Sequence, residues 1–229
     1  MLIAVLALFP FTCTAQNDGW RFEVAPYGLL AGMSGNVAVH GVPADVDVGF
    51  GDIWKNLQFG AMGRVSAHYG QWGLSTDLIY MGLGAVKNNV DVGVDQWMVQ
   101  PSLEYQVNNW FGVLAGARYY NLNLDVRGPM GRTRSGTQEW WDPVVGGQVR
   151  LPLAQKVSVR IRGDIGGFGA GSSFAWQLEP MLHLRVKEWM SMQAGYRLVD
   201  VDYETGSGPD RFRYDILSQG PQFGMTFHF

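Results

Sequence analysis

The stretch "FAWQLEPMLHLRV", Phe174–Val186, decides the fold. Every second residue in it is apolar or aromatic, namely Phe174, Trp176, Leu178, Pro180, Leu182, Leu184 and Val186. The residues between them include Gln177, Glu179, His183 and Arg185. A period of two is typical of a β-strand with one apolar and one polar face. The run also exceeds the usual strand length of about 5–6 residues.

The same alternation appears along most of the chain, with further runs starting at Val94 and Trp141 and a last one ending at Phe229. It also governs "SVRIRGDIGGFG", Ser158–Gly169, which contains the tripeptide Arg162-Gly163-Asp164. Such a tripeptide suggests an adhesive loop, but adhesive motifs need exposed loops. The alternation places Arg162 and Asp164 on the polar face of a strand, so we expect the tripeptide to be inaccessible to a receptor.

The composition leaves two classes of fold. The 229 residues include 31 glycines and 13% aromatics, with only 16% charged residues. The net charge of −3 gives no reason to expect nucleic acid as a partner. After residue 16 there is no apolar run of about 18 residues, so no membrane-spanning helix is expected. A soluble all-β domain and a transmembrane β-barrel remain.

The first residues, "MLIAVLALFPFTCTAQ", predict an export signal. An apolar run from Leu2 to Phe11 is followed by small residues, which is typical of a secretory signal cleaved near Ala15-Gln16. We therefore predict a signal peptide at 1–15 and a single domain at 16–229. Cys13, the only cysteine, lies in this signal; a lipoprotein acceptor role for it is the alternative.

Three features favour the transmembrane barrel over a soluble sandwich. The strands are long, and the polar face carries arginine rather than lysine, which suits a confined hydrogen-bonded interior. The links "GQW", "NNW", "AQK" and "KEW" are tight turns, whereas the links between them are longer and glycine-rich. Tryptophans mark the short-turn end: Trp20, Trp72, Trp110 and Trp189. They predict an aromatic girdle at one membrane boundary, and Trp97, Trp140, Trp141 and Trp176 predict a second one.

The predicted architecture is a single antiparallel up-and-down β-barrel of ten strands, with short periplasmic turns and longer extracellular loops. The predicted crossings are 20–33, 57–70, 72–86, 93–107, 109–126, 139–153, 156–168, 174–187, 189–203 and 211–229. Segment 34–56 predicts a hairpin turning at 41–44 and then a helical turn with Asp52 as its N-cap, forming an external or lumen-inserted cap. Twelve strands are the alternative.

The alternation also predicts which charged side chains face the lumen. They are Arg64, Asp77, Glu104, Arg118, Asp142, Arg150, Arg160, Arg162, Asp164, Glu179, Arg185 and Arg197. Unpaired charges in a confined interior are costly, so we expect a network of ion pairs. For Arg160 and Arg162 the expected partners are Glu179 and Asp142 on the neighbouring strands. Such a network predicts a plugged lumen; a narrow, slightly cationic pore is the alternative.

The sequence shows no catalytic constellation. His40, His68, His183 and His228 lack a serine and an acid at an obvious triad spacing, and Ser66 is about 7 Å along the strand from His68. Neither a metal-ligand spacing nor a phosphate loop is present. The sequence therefore predicts a protein that is not an enzyme and has no cofactor.

Several segments together resemble a family of small Gram-negative outer-membrane β-barrel proteins, OmpA-like or porin-like. Among them are "WWDPVVGGQVRLPL", "RIRGDIGGFGAGSSFAWQ" and the C-terminal "RFRYDILSQGPQFGMTFHF". The resemblance implies location in the outer membrane, and Phe227 with the terminal Phe229 resembles the signal read by the outer-membrane assembly machinery. Lipids, lipopolysaccharide, that machinery and small solutes are the implied partners.

The sequence leaves three functions open. The first is a structural barrel or restricted small-solute channel. The alternatives are a surface-binding barrel that acts through its extracellular loops, and a lipid-modifying or proteolytic enzyme.

Overall fold

The computed structural model describes residues 19–39, 42–87, 90–127 and 133–229. The predicted signal peptide, Cys13 and His40 lie outside these ranges. No helix in the described part of the chain combines the length and the apolar character needed to cross a membrane.

The described residues form one antiparallel sheet of 12 strands. The strands in the first half of the chain are β1 (Arg21–Leu29), β2 (Gly32–Val39), β3 (Val42–Val48), β4 (Leu57–Tyr69), β5 (Trp72–Lys87) and β6 (Val90–Gln106). Those in the second half are β7 (Phe111–Arg127), β8 (Thr133–Ala154), β9 (Val157–Gly166), β10 (Phe174–Lys187), β11 (Met190–Thr205) and β12 (Phe212–His228). Helix α1 spans Phe50–Asn56 and a short 3₁₀ turn spans Gly208–Asp210.

Ten of these strands close the barrel, which confirms the predicted fold class. The closing strand is β1, which pairs with β4 through Val24 and Val65 and with β12 through Val24 and Phe227. The other strands pair with their neighbours in chain order from β4 to β12. A closed barrel leaves no unpaired strand edge in its wall, as a lipid environment requires.

Segment 34–56 adds two strands outside the closed wall. Strand β2 continues along β12 beyond β1, with Asn36 opposite Asp215, and β3 pairs with β2. The hairpin therefore extends the sheet and does not fill the lumen. The turn predicted at 41–44 is wrong for residues 42–44, which belong to β3 and pair with β2, while residues 40–41 lie outside the described ranges. The twelve-strand alternative thus describes the sheet, while the prediction of ten describes the barrel wall.

Helix α1 links this hairpin to β4. The prediction of Asp52 as the N-cap is wrong, because the helix begins earlier. The carbonyl of Gly49 accepts the backbone N–H groups of Asp52 at 3.0 Å and Ile53 at 3.2 Å. Asp52 thus lies in the first turn, where its carboxylate interacts favourably with the positive end of the helix dipole. This register turns Ile53 inward, where its side chain is buried against the barrel interior.

Candidate functional site

The lumen has two layers of different chemistry. Arginines, carboxylates and amides fill the periplasmic half, and their side chains hydrogen-bond to one another across the barrel. In the extracellular half an apolar and aromatic cluster takes their place, with Met98, Tyr120, Trp140 and Ile216 at its centre. The charged layer is the candidate functional site, because any solute that passed through the lumen would have to cross it.

Asp77 lies at the centre of the charged layer. Its Oδ2 is 2.8 Å from Arg197 Nη2 and 3.2 Å from Arg64 Nη2. The Tyr27 hydroxyl donates a hydrogen bond to Asp77 Oδ1 at 2.7 Å, and Arg197 Nη1 donates one to the Tyr27 oxygen at 2.8 Å. Two guanidiniums and a phenol thus satisfy one carboxylate that is only 2% exposed.

Glu179 extends this cluster towards β9 and β12. Arg64 donates to both of its carboxylate oxygens, at 2.6 Å to Oε2 and 3.3 Å to Oε1. Gln222 Nε2 donates to Oε1 at 3.3 Å, and Arg160 Nη2 is 3.9 Å from the same oxygen. Glu179 has no exposed surface, so its charge depends entirely on these donors.

Two further clusters complete the layer. Arg118 is fully buried and forms an ion pair with Asp164, while its Nε donates to Gln100 Oε1 at 2.9 Å. Arg162 donates to Glu104 Oε1 at 2.6 Å. Charge-assisted bonds of this kind are about twice as strong as neutral ones, so the clusters rigidify the lumen.

The structure buries nine of the twelve residues predicted for the network: Arg64, Asp77, Glu104, Arg118, Asp142, Arg162, Asp164, Glu179 and Arg197. Arg160 is partly exposed. Arg150 and Arg185 are exposed at the periplasmic mouth and make no ion pair within the described ranges.

The expected partners of Arg162 and Asp142 were wrong. Arg162 reaches Glu104 across the lumen and not a neighbouring strand. Asp142 instead accepts the backbone N–H of Ser172 at 2.6 Å and its hydroxyl at 2.7 Å. In a narrow barrel long side chains such as arginine and glutamate can meet across the lumen, and this cross-lumen pairing decides the partner of Arg162. Arg162 and Asp164 are 3% and 4% exposed, so the tripeptide that contains them cannot reach a receptor.

The apolar layer contains a tryptophan that was predicted for the outer girdle. Trp140 faces the lumen, 5% exposed, and stacks on Tyr203 with ring centroids 4.0 Å apart. Its Nε1 donates to Ser172 Oγ at 3.0 Å. Its sequence neighbour Trp141 points outward and is 54% exposed, because adjacent strand residues face opposite ways. Ile53 of α1 covers the apolar layer and, with Met98, Tyr120 and Ile216, lines a cavity of about 60 Å³.

The outer surface carries two aromatic bands. At the periplasmic end Trp20, Trp72, Trp110 and Trp189 are all exposed. At the other end Trp97 packs on Tyr80 and Trp141 on Tyr119, with ring centroids 4.5 Å and 4.8 Å apart. Trp72 and Tyr80 lie eight residues apart on β5, roughly 20 Å along the barrel axis at a typical tilt of about 40°. That spacing suits the apolar band of an outer membrane.

A serine, a histidine and a glutamate meet at the periplasmic mouth, where the sequence suggested no such arrangement. Ser191 Oγ lies 2.9 Å from His228 Nε2, and His228 Nδ1 lies 3.1 Å from Glu23 Oε1. They come from β11, β12 and β1, and Glu23 is 205 residues from His228. Sequence spacing could not reveal them, although all three fall on the lumen-facing parity. Closure of the barrel between β1 and β12 brings them together.

Metal binding finds no support in the described ranges, where no group of three His, Cys, Asp or Glu side chains is placed to hold an ion. His68 Nε2 lies 3.4 Å from Glu104 Oε2. His183 Nε2 is buried without a hydrogen-bond partner.

Comparison with known proteins relates the fold to solved structures. No model of a protein family matches the sequence, and no curated protein sequence does. The outer membrane protease OmpT of Escherichia coli matches with a TM-score of 0.55 at 7% identity, over 96% of this chain and 99% of that one. Ail of Yersinia pestis matches at a TM-score of 0.45 and 10% identity, over 93% and 100%. Neisserial surface protein A matches at 0.37 and 12%, over 92% and 99%.

The chain therefore has the fold of an integral β-barrel protein of the Gram-negative outer membrane. Within that class it has a ten-stranded wall, a hairpin that extends the wall at the extracellular end, and a lumen filled by side chains. Identities this low relate the folds alone.

Proposed function

We propose that the protein is a structural outer-membrane barrel whose lumen is closed to solutes by its charged layer. The observation that carries this proposal is the burial of the layer. Arg118, Arg197, Glu179 and Asp142 have no exposed surface. An open aqueous pore would leave its lining charges hydrated.

The space left within the charged layer supports the same conclusion. The cavity between Tyr27, Arg64, Glu104 and Arg162 measures about 30 Å³, room for about two water molecules. Above it, the apolar layer and Ile53 of α1 fill the extracellular half. An ion on its way through would have to break several buried ion pairs and then cross an apolar zone. Both steps oppose conduction.

The test is planar-bilayer conductance of the refolded protein, with a general porin reconstituted in parallel. We expect no stable conductance step above the bilayer baseline, although the protein is inserted. Insertion is checked by vesicle flotation and by the faster gel migration of an unheated barrel. Regular single-channel steps from protein that passes both checks would contradict the proposal.

A second candidate function, surface binding, rests on the strand extensions beyond the outer aromatic band. Strand β7 runs from Tyr119 to Arg127 past that band, roughly 25 Å along the strand. Outward-facing Asp202 and Asp215 are register partners there, and Asp215 in turn lies opposite Asn36 on β2. Beside them Arg211 hydrogen-bonds Glu204 at 2.8 Å and holds the pKa of that carboxyl below its ordinary value. A rigid polar sheet outside the membrane suits contact with an external partner.

Removing the hairpin tests this second candidate. Residues 34–39 and 42–47 belong to β2 and β3, which lie outside the closed wall, so a short glycine-serine turn in place of 34–47 should leave the barrel intact. If the hairpin binds surfaces, cells that display the shortened protein will adhere to host-cell layers less than cells that display the full protein. Equal adherence at equal surface display would count against it.

A further inference from the structure

The periplasmic mouth holds a vestibule that the proposed function does not use. It is a cavity of about 290 Å³, lined by side chains of β1 and of β8 to β12. Ser191, His228 and Glu23 form part of its wall, together with Arg150, Arg160 and Arg185. The vestibule opens at the end of the barrel that carries Trp189 and the short β8–β9 turn. Since short turns mark the periplasmic end of such a barrel, the vestibule opens towards the periplasm.

The three wall residues have the geometry of a catalytic triad. A triad needs a serine within hydrogen-bond reach of a histidine nitrogen, and an acid on the other nitrogen. Ser191 meets His228 Nε2 at 2.9 Å, and Glu23 meets Nδ1 at 3.1 Å. The Glu23 carboxylate accepts a hydrogen bond from His228 Nδ1–H, which leaves Nε2 as the acceptor that faces the Ser191 hydroxyl. Glu23 and His228 are also directly opposite each other across the β1–β12 seam.

The vestibule carries an excess of positive charge. Arg150 and Arg185 make no side-chain hydrogen bond or ion pair within the described ranges. Arg150 is the register partner of Arg160, and like charges placed directly opposite destabilise a sheet. The nearest carboxylate to Arg160 is Glu179 at 3.9 Å, whose oxygens already accept bonds from Arg64. Deeper in the lumen each buried arginine of the charged layer has a carboxylate partner.

Arg185 lies beside Ser191 in the wall of the vestibule. It is the direct register partner of Ser191, with both side chains on the inner face. Opposite residues on neighbouring strands have Cβ atoms about 5 Å apart. An arginine whose Cβ lies at that distance has a side chain long enough to reach an oxygen bound to the carbon that Ser191 attacks, where the guanidinium can stabilise the negative charge. Arg150, which makes no ion pair within the described ranges, and Arg160, which is 3.9 Å from Glu179, can bind a second anionic group on the same molecule.

We propose that the vestibule is a hydrolytic site for carboxylic esters that carry a phosphate group. Ser191 Oγ attacks the ester carbonyl carbon while its proton passes to His228 Nε2. The tetrahedral oxyanion, held by Arg185, collapses and breaks the bond to the leaving alcohol, which takes the proton from His228. Water then attacks the acyl-serine carbonyl while one of its protons passes to His228; the second tetrahedral intermediate collapses, breaks the bond to Ser191 Oγ, and that oxygen takes the proton back from His228, which releases the carboxylic acid and restores the free serine.

Catalytic roles here belong to Ser191, His228 and Arg185, which contact the reacting atoms. Glu23 is a positioning residue that acts through His228. The size of the cavity limits the acyl group to a short chain, or to the ester end of a longer one that extends out of the mouth. The hydrolytic site does not depend on whether the lumen conducts, so the two proposals are tested by separate measurements.

The first test uses a fluorophosphonate probe, which labels only activated serines. We expect the refolded wild-type protein to be labelled and S191A to be unlabelled. The control S158A removes another vestibule serine, one that makes no hydrogen bond to a histidine, and it should be labelled like the wild type. H228Q should label at least about a hundredfold more slowly, with partial rescue by added imidazole. Absence of labelling in wild-type protein that shows the heat-dependent gel shift would overturn the proposal.

The second test identifies the substrate. Monobutyryl glycerol phosphate serves as the soluble ester, lysophosphatidylglycerol micelles as the lipid ester, and 4-nitrophenyl butyrate as the ester without phosphate. We expect wild-type protein to favour a phosphate ester, and R150Q to raise KM for that ester more than it raises KM for 4-nitrophenyl butyrate. E23Q should lower kcat at least about tenfold with KM unchanged. Turnover of the soluble ester alone would identify a soluble phosphate ester as the substrate, and turnover of the micelles alone would identify a membrane lipid. Equal rates for S191A and wild type on every ester would overturn the proposal.

Discussion

Replacement of Glu179 by glutamine will lower the free energy of unfolding by about 3–5 kcal/mol, the usual result of removing one partner from a buried ion pair. Arg64 loses the carboxylate to which both its terminal nitrogens donate. Arg160 loses its nearest negative charge. Glutamine keeps the shape of the side chain, so the loss reports charge and not packing. Urea unfolding of the refolded protein in lipid vesicles measures it.

The matched control for this experiment is E204Q. Glu204 also accepts two bonds from an arginine, Arg211, but at an exposed position beyond the membrane. Exposed ion pairs contribute little, so E204Q should cost clearly less than E179Q. Equal losses of unfolding free energy in E179Q and E204Q would contradict the expectation that the buried carboxylate contributes more than the exposed one.

In bilayers E179Q should stay at baseline conductance, since the other clusters still fill the lumen. A rise in conductance would identify Glu179 as part of a gate.

Replacement of Leu182 by arginine will destabilise the barrel by about 2–4 kcal/mol, as a cation near the bilayer midplane does on a lipid-facing strand position. Leu182 is 45% exposed on the outer surface. Its neighbour Met181 is 1% exposed and faces the lumen, opposite Arg160 on β9. Because glutamine at position 181 has a similar length and lies opposite Arg160, whose Nε has no hydrogen-bond partner, M181Q should cost less than L182R.

Urea unfolding in vesicles of one lipid composition compares the two variants. L182M, which keeps an apolar side chain of similar volume, controls for packing and should stay close to wild type. If L182R and M181Q cost the same, the assignment of faces on β10 would fail.

The alternation of residues is enough to assign faces, because a strand turns each side chain to the side opposite its neighbour. It correctly predicts that Arg118, Arg162 and Asp164 lie on the inner face, and it predicts the strand count of the barrel wall. Trp140 was expected in the outer aromatic girdle because it lies near a strand end, and that expectation neglected the alternation of faces along the strand. Trp140 consequently lies in the lumen, and Trp141 alone of the pair joins the outer band.

Partners across the lumen escaped prediction for a physical reason. Which walls face each other depends on barrel closure and stagger, and no local pattern encodes these. Arg162 therefore meets Glu104 instead of a neighbour on an adjacent strand. The Ser191–His228–Glu23 arrangement escaped for the same reason, since two of its members lie on the strands that close the ring.

The seam between β1 and β12 has a consequence for the order of folding. Strand β12, which follows β1 by about 180 residues, is also the strand against which both β1 and β2 must pair. These early segments therefore wait until β12 has been synthesised, and contacts between residues so distant in sequence form slowly. During that wait the outward apolar side chains and open strand edges are exposed to aggregation. Periplasmic holdase chaperones that protect the unfolded chain should consequently limit its yield more than they limit that of barrels closed by shorter-range pairs.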